Sequence, residues 1–249
     1  MKKYFLTAAA LLLFSPLTAS ADLVATGNMQ VVANTTTNAP IQKVDFDGSG
    51  SQPTKTYYAD YNAIYFGTMT MKPGYTSLTF DSGEVFCVEN SDLISSSTPY
   101  AFYTSDTLWS GETLNQVTWI ANWATSNNSV DIDGITYTGD AIKAIGQVAI
   151  WDIVISSAIF TDPVAPAIGY YAPSQKLISE FYYSAENQGA FVNDWLLAVN
   201  PVEGTPSTVQ PGQNFLVKAT ATPVPEPGTM LLFGTGLAGL AAVSRRRRN

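Results

Sequence analysis

The sequence predicts an α+β domain: a mixed β-sheet or sandwich with an inserted helical part, between a cleaved N-terminal signal peptide and a C-terminal anchor helix. Three observations carry that prediction. Of 249 residues, 46% are hydrophobic and only 13% charged, enough apolar material for one packed core. Segments rich in aromatic residues, Thr and Val come early, helical periodicity fills the middle, and an alternating segment closes the domain. Each end of the chain carries a short apolar run beside basic residues.

The elements follow in order. Lys2 and Lys3, an apolar run from Phe5 to Phe14 ended by Pro16, and Ala19-Ser20-Ala21 describe a secretory signal peptide over residues 1–21, cut before Asp22. The domain spans 22–222. Strands are expected at Tyr57 to Met71, Thr76 to Val88 and Ala101 to Thr104, with Pro73-Gly74 as the hairpin turn between the first two. Glu112 to Thr125 sets Leu114, Val117, Ile120, Ala121 and Ala124 at helical spacing. Ala141 to Ile155 is apolar nearly all round, the pattern of a buried helix. Ser174 to Asn187 puts Leu177, Ile178 and Phe181 on one face, with Ser174 as N-cap. Phe215 to Thr220 alternates as a closing strand before the proline-rich linker Ala221 to Pro225. No internal repeat is present.

Composition excludes several functions. There is no histidine and one cysteine, so a Ser-His-Asp triad, a Cys-His pair, a His-bound metal and an internal disulfide all lack a required residue. The whole chain carries −8. With the signal peptide removed and the C-terminal cut sparing Glu226, it keeps only Lys43, Lys55, Lys72, Lys143, Lys176 and Lys218 against 20 acidic residues, six against 20 giving −14. Such a surface is soluble and disfavours nucleic acid. Asp45 to Gly50 opens like a calcium loop, but Thr56 holds the twelfth position where a bidentate acid is needed. That segment and Asp131-Ile132-Asp133-Gly134 are expected to be solvated turns, and no metal or cofactor is expected.

The C-terminal segment 223–249 has three parts: Pro225-Glu226-Pro227 with Gly228 after it, an apolar stretch from Thr229 to Val243, and Arg245, Arg246, Arg247 and Arg248. The arginines fit a positive-inside stop, while a span of fewer than about 20 residues with Gly234, Gly236 and Gly239 suits a temporary anchor. This tail resembles the PEP-CTERM sorting signal, whose bearers are processed by the membrane protease exosortase. The resemblance implies a Gram-negative, exopolysaccharide-making source. It further implies transient inner-membrane insertion, a mature end near Pro225 to Gly228, and release to the cell surface or extracellular matrix. Signal peptidase and an exosortase-type protease are the expected processing partners.

The lone cysteine lies in Glu84-Val85-Phe86-Cys87-Val88-Glu89, and sixty residues later comes Ile145-Gly146-Gln147-Val148-Ala149-Ile150-Trp151. This pair of motifs resembles the bacterial thioester domain family of surface adhesins, and Gln116 to Trp123 resembles the helix those domains carry between them. The family often has Thr or Ser where this chain has Gly146. The resemblance implies that the Cys87 thiol attacks the Gln147 carboxamide, expels ammonia and leaves an internal thioester. Positioning supplies much of the barrier lowering for such a step. Phe86 and Trp151 would exclude water, and Asp152 and Glu89 would move protons. The product captures an amine or hydroxyl on a surface protein or polysaccharide, once per molecule, so the chain is not a turnover enzyme. Two alternatives stay open on the residues alone. One is a structural matrix protein binding glycans, with Cys87 free or in an intermolecular disulfide. The other is a carboxylate-pair hydrolase, for which no acidic pair stands out.

Overall fold

The computed structural model describes residues 23–35, 40–45, 55–89, 97–104, 109, 111–155, 158–161, 169–183, 191–200, 213–224 and 234–237. The strands are β1 (Leu23–Ala33), β2 (Ile41–Asp45), β3 (Lys55–Tyr58), β4 (Tyr61–Met71), β5 (Tyr75–Cys87), β6 (Thr98–Thr104), β7 (Ser129–Ile132), β8 (Ile135–Thr138), β9 (Ile159–Thr161), β10 (Trp195–Val199) and β11 (Phe215–Pro223). The helices are α1 (Gly111–Ser126), α2 (Asp140–Val154) and α3 (Tyr171–Tyr183).

Six strands close an antiparallel barrel in the order β1-β4-β5-β11-β10-β6. The expected mixed β-sheet or sandwich is therefore corrected to a barrel. The cause is β1, a strand with no regular alternation, which pairs with β4 on one edge and β6 on the other. A register shift between Thr26 and Asn28 bends β1, and the intervening Gly27 leaves room for Met69, whose sulfur occupies the space of a Cβ. A second sheet, β3-β2-β9, and the β7–β8 hairpin lie outside the barrel.

α1 and α2 form where periodicity places them, and α3 contains the expected Leu177, Ile178 and Phe181, while residues 184–187 of its expected range lie outside the described residues. The expected continuous strand from Tyr57 instead breaks at Ala59 and Asp60 into β3 and β4. The Pro73-Gly74 turn is as expected, with Gly74 at φ 101° and the Tyr75 N–H donating to the Lys72 carbonyl at 3.2 Å. Ser174 is not the α3 cap: the helix starts at Tyr171, and the Ser174 hydroxyl donates back to the Tyr171 carbonyl at 2.7 Å. The helix-compatible Tyr171-Ala172-Pro173 turn displaces the expected start. β11 also runs three residues beyond Thr220, into the expected linker, because the start of β5 offers it a paired edge.

α2 is the buried centre of the helical layer. From Ala144 to Trp151 every residue is buried, and the helix contacts α1, α3 and β5. The signal peptide lies outside the described residues. So does most of the tail, of which Pro223, Val224 and residues 234–237 are described, the last four as one exposed helical turn. Among the described residues no helix is long and apolar enough to cross a membrane.

Candidate functional site

Cys87 is the last residue of β5, opposite Phe215 of β11. On the other edge β4 pairs with β5 only at Tyr61–Val85 and Asn62–Glu84, so Cys87 extends beyond the start of its neighbour. The Gln147 side chain of α2 supplies what β4 does not. The Cys87 N–H donates to Gln147 Oε1 at 2.8 Å, and Gln147 Nε2 donates to the Cys87 carbonyl at 2.8 Å. Both bonds are buried, and either main-chain group left unpaired there would cost about 1–3 kcal/mol.

The close approach of α2 depends on Gly146. A Cβ at that position would come 2.6 Å from the Ala124 Cβ of α1 and 3.6 Å from Phe86. The missing side chain lets α1 and α2 pack tightly while the next residue reaches the barrel. Where the resembling family often has Thr or Ser, this chain has the residue that its own helix contact requires.

The Cys87 thiol is fully buried and donates to the Glu89 carbonyl at 3.0 Å. Burial pushes its pKa up to about 12, against the lowering effects of the Glu89 carbonyl and the Trp151 indole, with the Glu89 carboxylate raising it further. At neutral pH the group is a thiol, so any attack by sulfur must be coupled to proton loss.

Aromatic rings wall the site. Phe86 is 2% exposed and packs 5.7 Å from the Trp195 ring. Trp151 is fully buried, with its ring edge-on to Tyr61 at 6.5 Å, and Tyr61 in turn meets Phe215 at 6.0 Å. Tyr100 closes the same end of the barrel, its hydroxyl donating to the Gln213 carbonyl at 3.1 Å. Burial pushes its pKa up to about 12, with Glu89 and Cys87 acting in the same direction and Thr98 opposing.

Glu89 and Asp152 were the expected proton carriers. The structure engages both carboxylates in holding elements together. Glu89 Oε1 accepts the Asn214 N–H and Oε2 accepts Asn214 Nδ2, both at 2.8 Å. Asn214 Oδ1 then accepts the Asn200 N–H at 2.8 Å, and Asn200 Nδ2 donates to the Pro99 carbonyl at 2.6 Å. This chain ties the ends of β5, β11, β10 and β6 around the cysteine. Asp152 Oδ2 accepts Gln175 Nε2 at 2.8 Å and joins α2 to α3.

The fold thus brings together Cys87, Gln147, Phe86, Trp151 and Glu89, and turns Asp152 toward α3. Asn200, Tyr100 and Asn214 belong to the site without having been expected there. The only signal for Asn214 was a carboxamide directly before a strand start. Asp131 Oδ1 accepts the Gly134 N–H at 3.0 Å, with Asp133 at φ 53° and Gly134 at φ 78°, so this acidic motif is the β7–β8 turn. Residues 46–50 of the other acidic motif lie outside the described residues. Among the described residues no group of three acidic or cysteine side chains is set to hold a metal ion. Pro225, Glu226, Pro227, the Thr229 to Val243 stretch apart from 234–237, and Arg245 to Arg248 also lie outside them.

The tail is matched independently of its geometry. The family model of the PEP-CTERM protein-sorting motif matches residues 223–248. That motif implies an exported, cell-surface or extracellular protein sorted by exosortase. No curated protein and no solved structure matches the chain.

Proposed function

We propose that the exported domain carries an internal thioester between Cys87 and Gln147, used once to attach the protein covalently to an amine or hydroxyl at the cell surface or in the extracellular matrix. The reciprocal pair of 2.8 Å hydrogen bonds between the Gln147 carboxamide and the Cys87 main chain carries this reading. It joins residues 60 apart in sequence and fixes the carboxamide against the residue that bears the thiol.

The bonds have a chemical direction. When sulfur adds to the Gln147 carbonyl carbon, negative charge develops on Oε1, which already accepts the Cys87 N–H. A preorganised donor of this kind stabilises the developing oxyanion in a water-poor site. The C–N bond then breaks, the S–C bond is complete, and the thiol proton leaves with the nitrogen as ammonia. Nε2 donates to the Cys87 carbonyl beforehand, which orients the leaving group. The aromatic wall of Phe86, Trp151 and Tyr61 keeps water from the product. An external amine reverses the logic: it takes the Gln147 acyl group and frees the Cys87 thiol.

A second reading has its own observation. Gln147 already satisfies the β5 edge, and the thiol is held protonated by burial. Under this reading the pair is an inert strand cap in a structural matrix protein that binds glycans without a covalent bond.

Intact mass with and without methylamine separates the two. The thioester gives a mass short by one ammonia, no titratable thiol, and a methylamine adduct at Gln147. Cys87→Ala and Gln147→Ala abolish all three signs. Full mass, a titratable thiol and an intact Gln147 would overturn the covalent reading in favour of the strand cap.

A further inference from the structure

Lys143 lies four residues before Gln147 on α2, one helical turn away on the same face. Its Nζ is 2.7 Å from Glu84 Oε1 and 3.8 Å from Asp140 Oδ1. Glu84 lies three residues before Cys87 on β5. The ion pair is therefore the neighbouring rung of the helix–strand seam that joins Gln147 to Cys87. Such i,i+4 side chains start about 5–6 Å apart at Cβ, a gap that a flexible four-carbon lysine stem spans. Burial of Cys87 and Gln147 keeps bulk water from the site. It cannot keep out an amine on the same helix. Only the proton on that amine can, because an ammonium has no lone pair with which to attack.

We propose that Glu84 guards the site: paired with Lys143, it holds the amine protonated and drawn toward β5, and so prevents Lys143 from consuming the Cys87–Gln147 thioester. This rests on the thioester reading above. In the step held in check, neutral Nζ attacks the Gln147 acyl carbon and the C–S bond breaks. An amide joins Lys143 to Gln147 as an i,i+4 lactam, and the amine proton passes to the departing sulfur as the Cys87 thiol. Nothing is oxidised or reduced, and no further reactant is needed.

The charged groups around Lys143 all act in one direction. Burial by itself lowers its pKa, but the hydrogen bond and charge of Glu84 outweigh that effect, helped by Asp60 from the segment before β4 and Asp140 from the first turn of α2; the net direction is up. Removing Glu84 removes the largest of the raising contributions and leaves only Asp60 and Asp140 to oppose burial. Each pKa unit lost gives about tenfold more neutral amine at a fixed pH.

The test uses the full chain exported with its own signals, and reads intact mass, titratable thiol and methylamine uptake at pH 8. Wild type is short by one ammonia, lacks a thiol and takes up methylamine. Glu84→Gln keeps the ammonia deficit but gains a titratable thiol, loses most of its methylamine uptake, and shows a Lys143–Gln147 crosslink by peptide mass spectrometry. Glu84→Gln with Lys143→Arg lacks the same ion pair, so it controls for folding, and it recovers methylamine uptake. Equal uptake in wild type and Glu84→Gln would overturn the guard while leaving the thioester standing. Loss of uptake that Lys143→Arg does not restore, without the crosslink, would also overturn it. Full mass with intact Gln147 in wild type would remove the thioester and the guard together.

Discussion

Cys87 and Gln147 meet at one point but are held there by different physics. The cysteine is fixed by main chain: β5 is paired along β11, and the Glu89–Asn214–Asn200 chain ties the adjoining strand ends. The glutamine is fixed by packing: its helix is buried on several sides, steered by the missing side chain at Gly146 and by the Lys143–Glu84 pair. A main-chain ladder distributes a local loss over many bonds. A packed helix converts one added or removed atom group into a shift of the whole element. The carboxamide side is accordingly the fragile one.

The largest effect should come from removing the carboxamide. Gln147→Ala strands the Cys87 N–H and carbonyl in a buried setting, at about 1–3 kcal/mol each, so a loss of about 2–6 kcal/mol is expected in urea unfolding. Cys87→Ala keeps both main-chain groups paired. Any covalent link between the two side chains is lost in both variants, so the excess cost of Gln147→Ala reports the stranded main-chain groups together with the larger buried side chain removed. Equal destabilisation by the two would break the comparison.

Next comes Gly146→Val. Its branched side chain must fit where a single Cβ already lies 2.6 Å from Ala124. Overpacking of this kind costs about 1–3 kcal/mol, and moving α2 outward also lengthens the Gln147 bonds. Gly146→Val combined with Ala124→Gly should recover part of the loss in the same unfolding measurement. No recovery would mean that the α1–α2 contact does not set the position of Gln147. A smaller effect, about 1 kcal/mol, is expected for Asn214→Ala, since the Asn214 N–H still reaches Glu89 and only the side-chain bonds are lost. A cost above that of Gly146→Val would reverse the ranking of the two sides.

The same contrast explains what could be read from residues. Helical elements were legible because α1 and α2 are local patterns, and Cys87 and Gln147 stood out through their neighbours in sequence. β1 was not legible: its burial follows no two-residue alternation, and its meaning lies in pairing with strands 34 and 77 residues away, as at Gln30 with Ile64 and Ala25 with Phe102. Barrel closure is a property of those long-range pairs, not of any segment. Glu89 was recognised as near the site, but its role required Asn214, 125 residues on. A carboxylate beside a motif reads the same whether it moves a proton or ties two strands.

The smallest expected effect tests the polar edge of the helix side. Asp60 is 3% exposed and accepts Asn34 Nδ2 at 3.0 Å, at the break where β3 gives way to β4. Its pKa is raised, chiefly by burial, while the Asn34 hydrogen bond and Lys143 oppose the rise and Asp140 and Glu84 add to it. A carboxyl whose pKa is higher folded than unfolded contributes stability fully below the unfolded value, and loses it as pH climbs through the folded one. Wild type should therefore lose stability relative to Asp60→Asn between about pH 4, the usual range of a free carboxyl, and neutrality. The amide oxygen in that variant still accepts from Asn34, so the comparison isolates the charge. Melting temperatures of the two proteins across that interval provide the measurement. A constant difference would mean that Lys143 neutralises the buried carboxylate fully, and would make the Lys143 cluster a stronger brace for α2 than its ion pair with Glu84 alone.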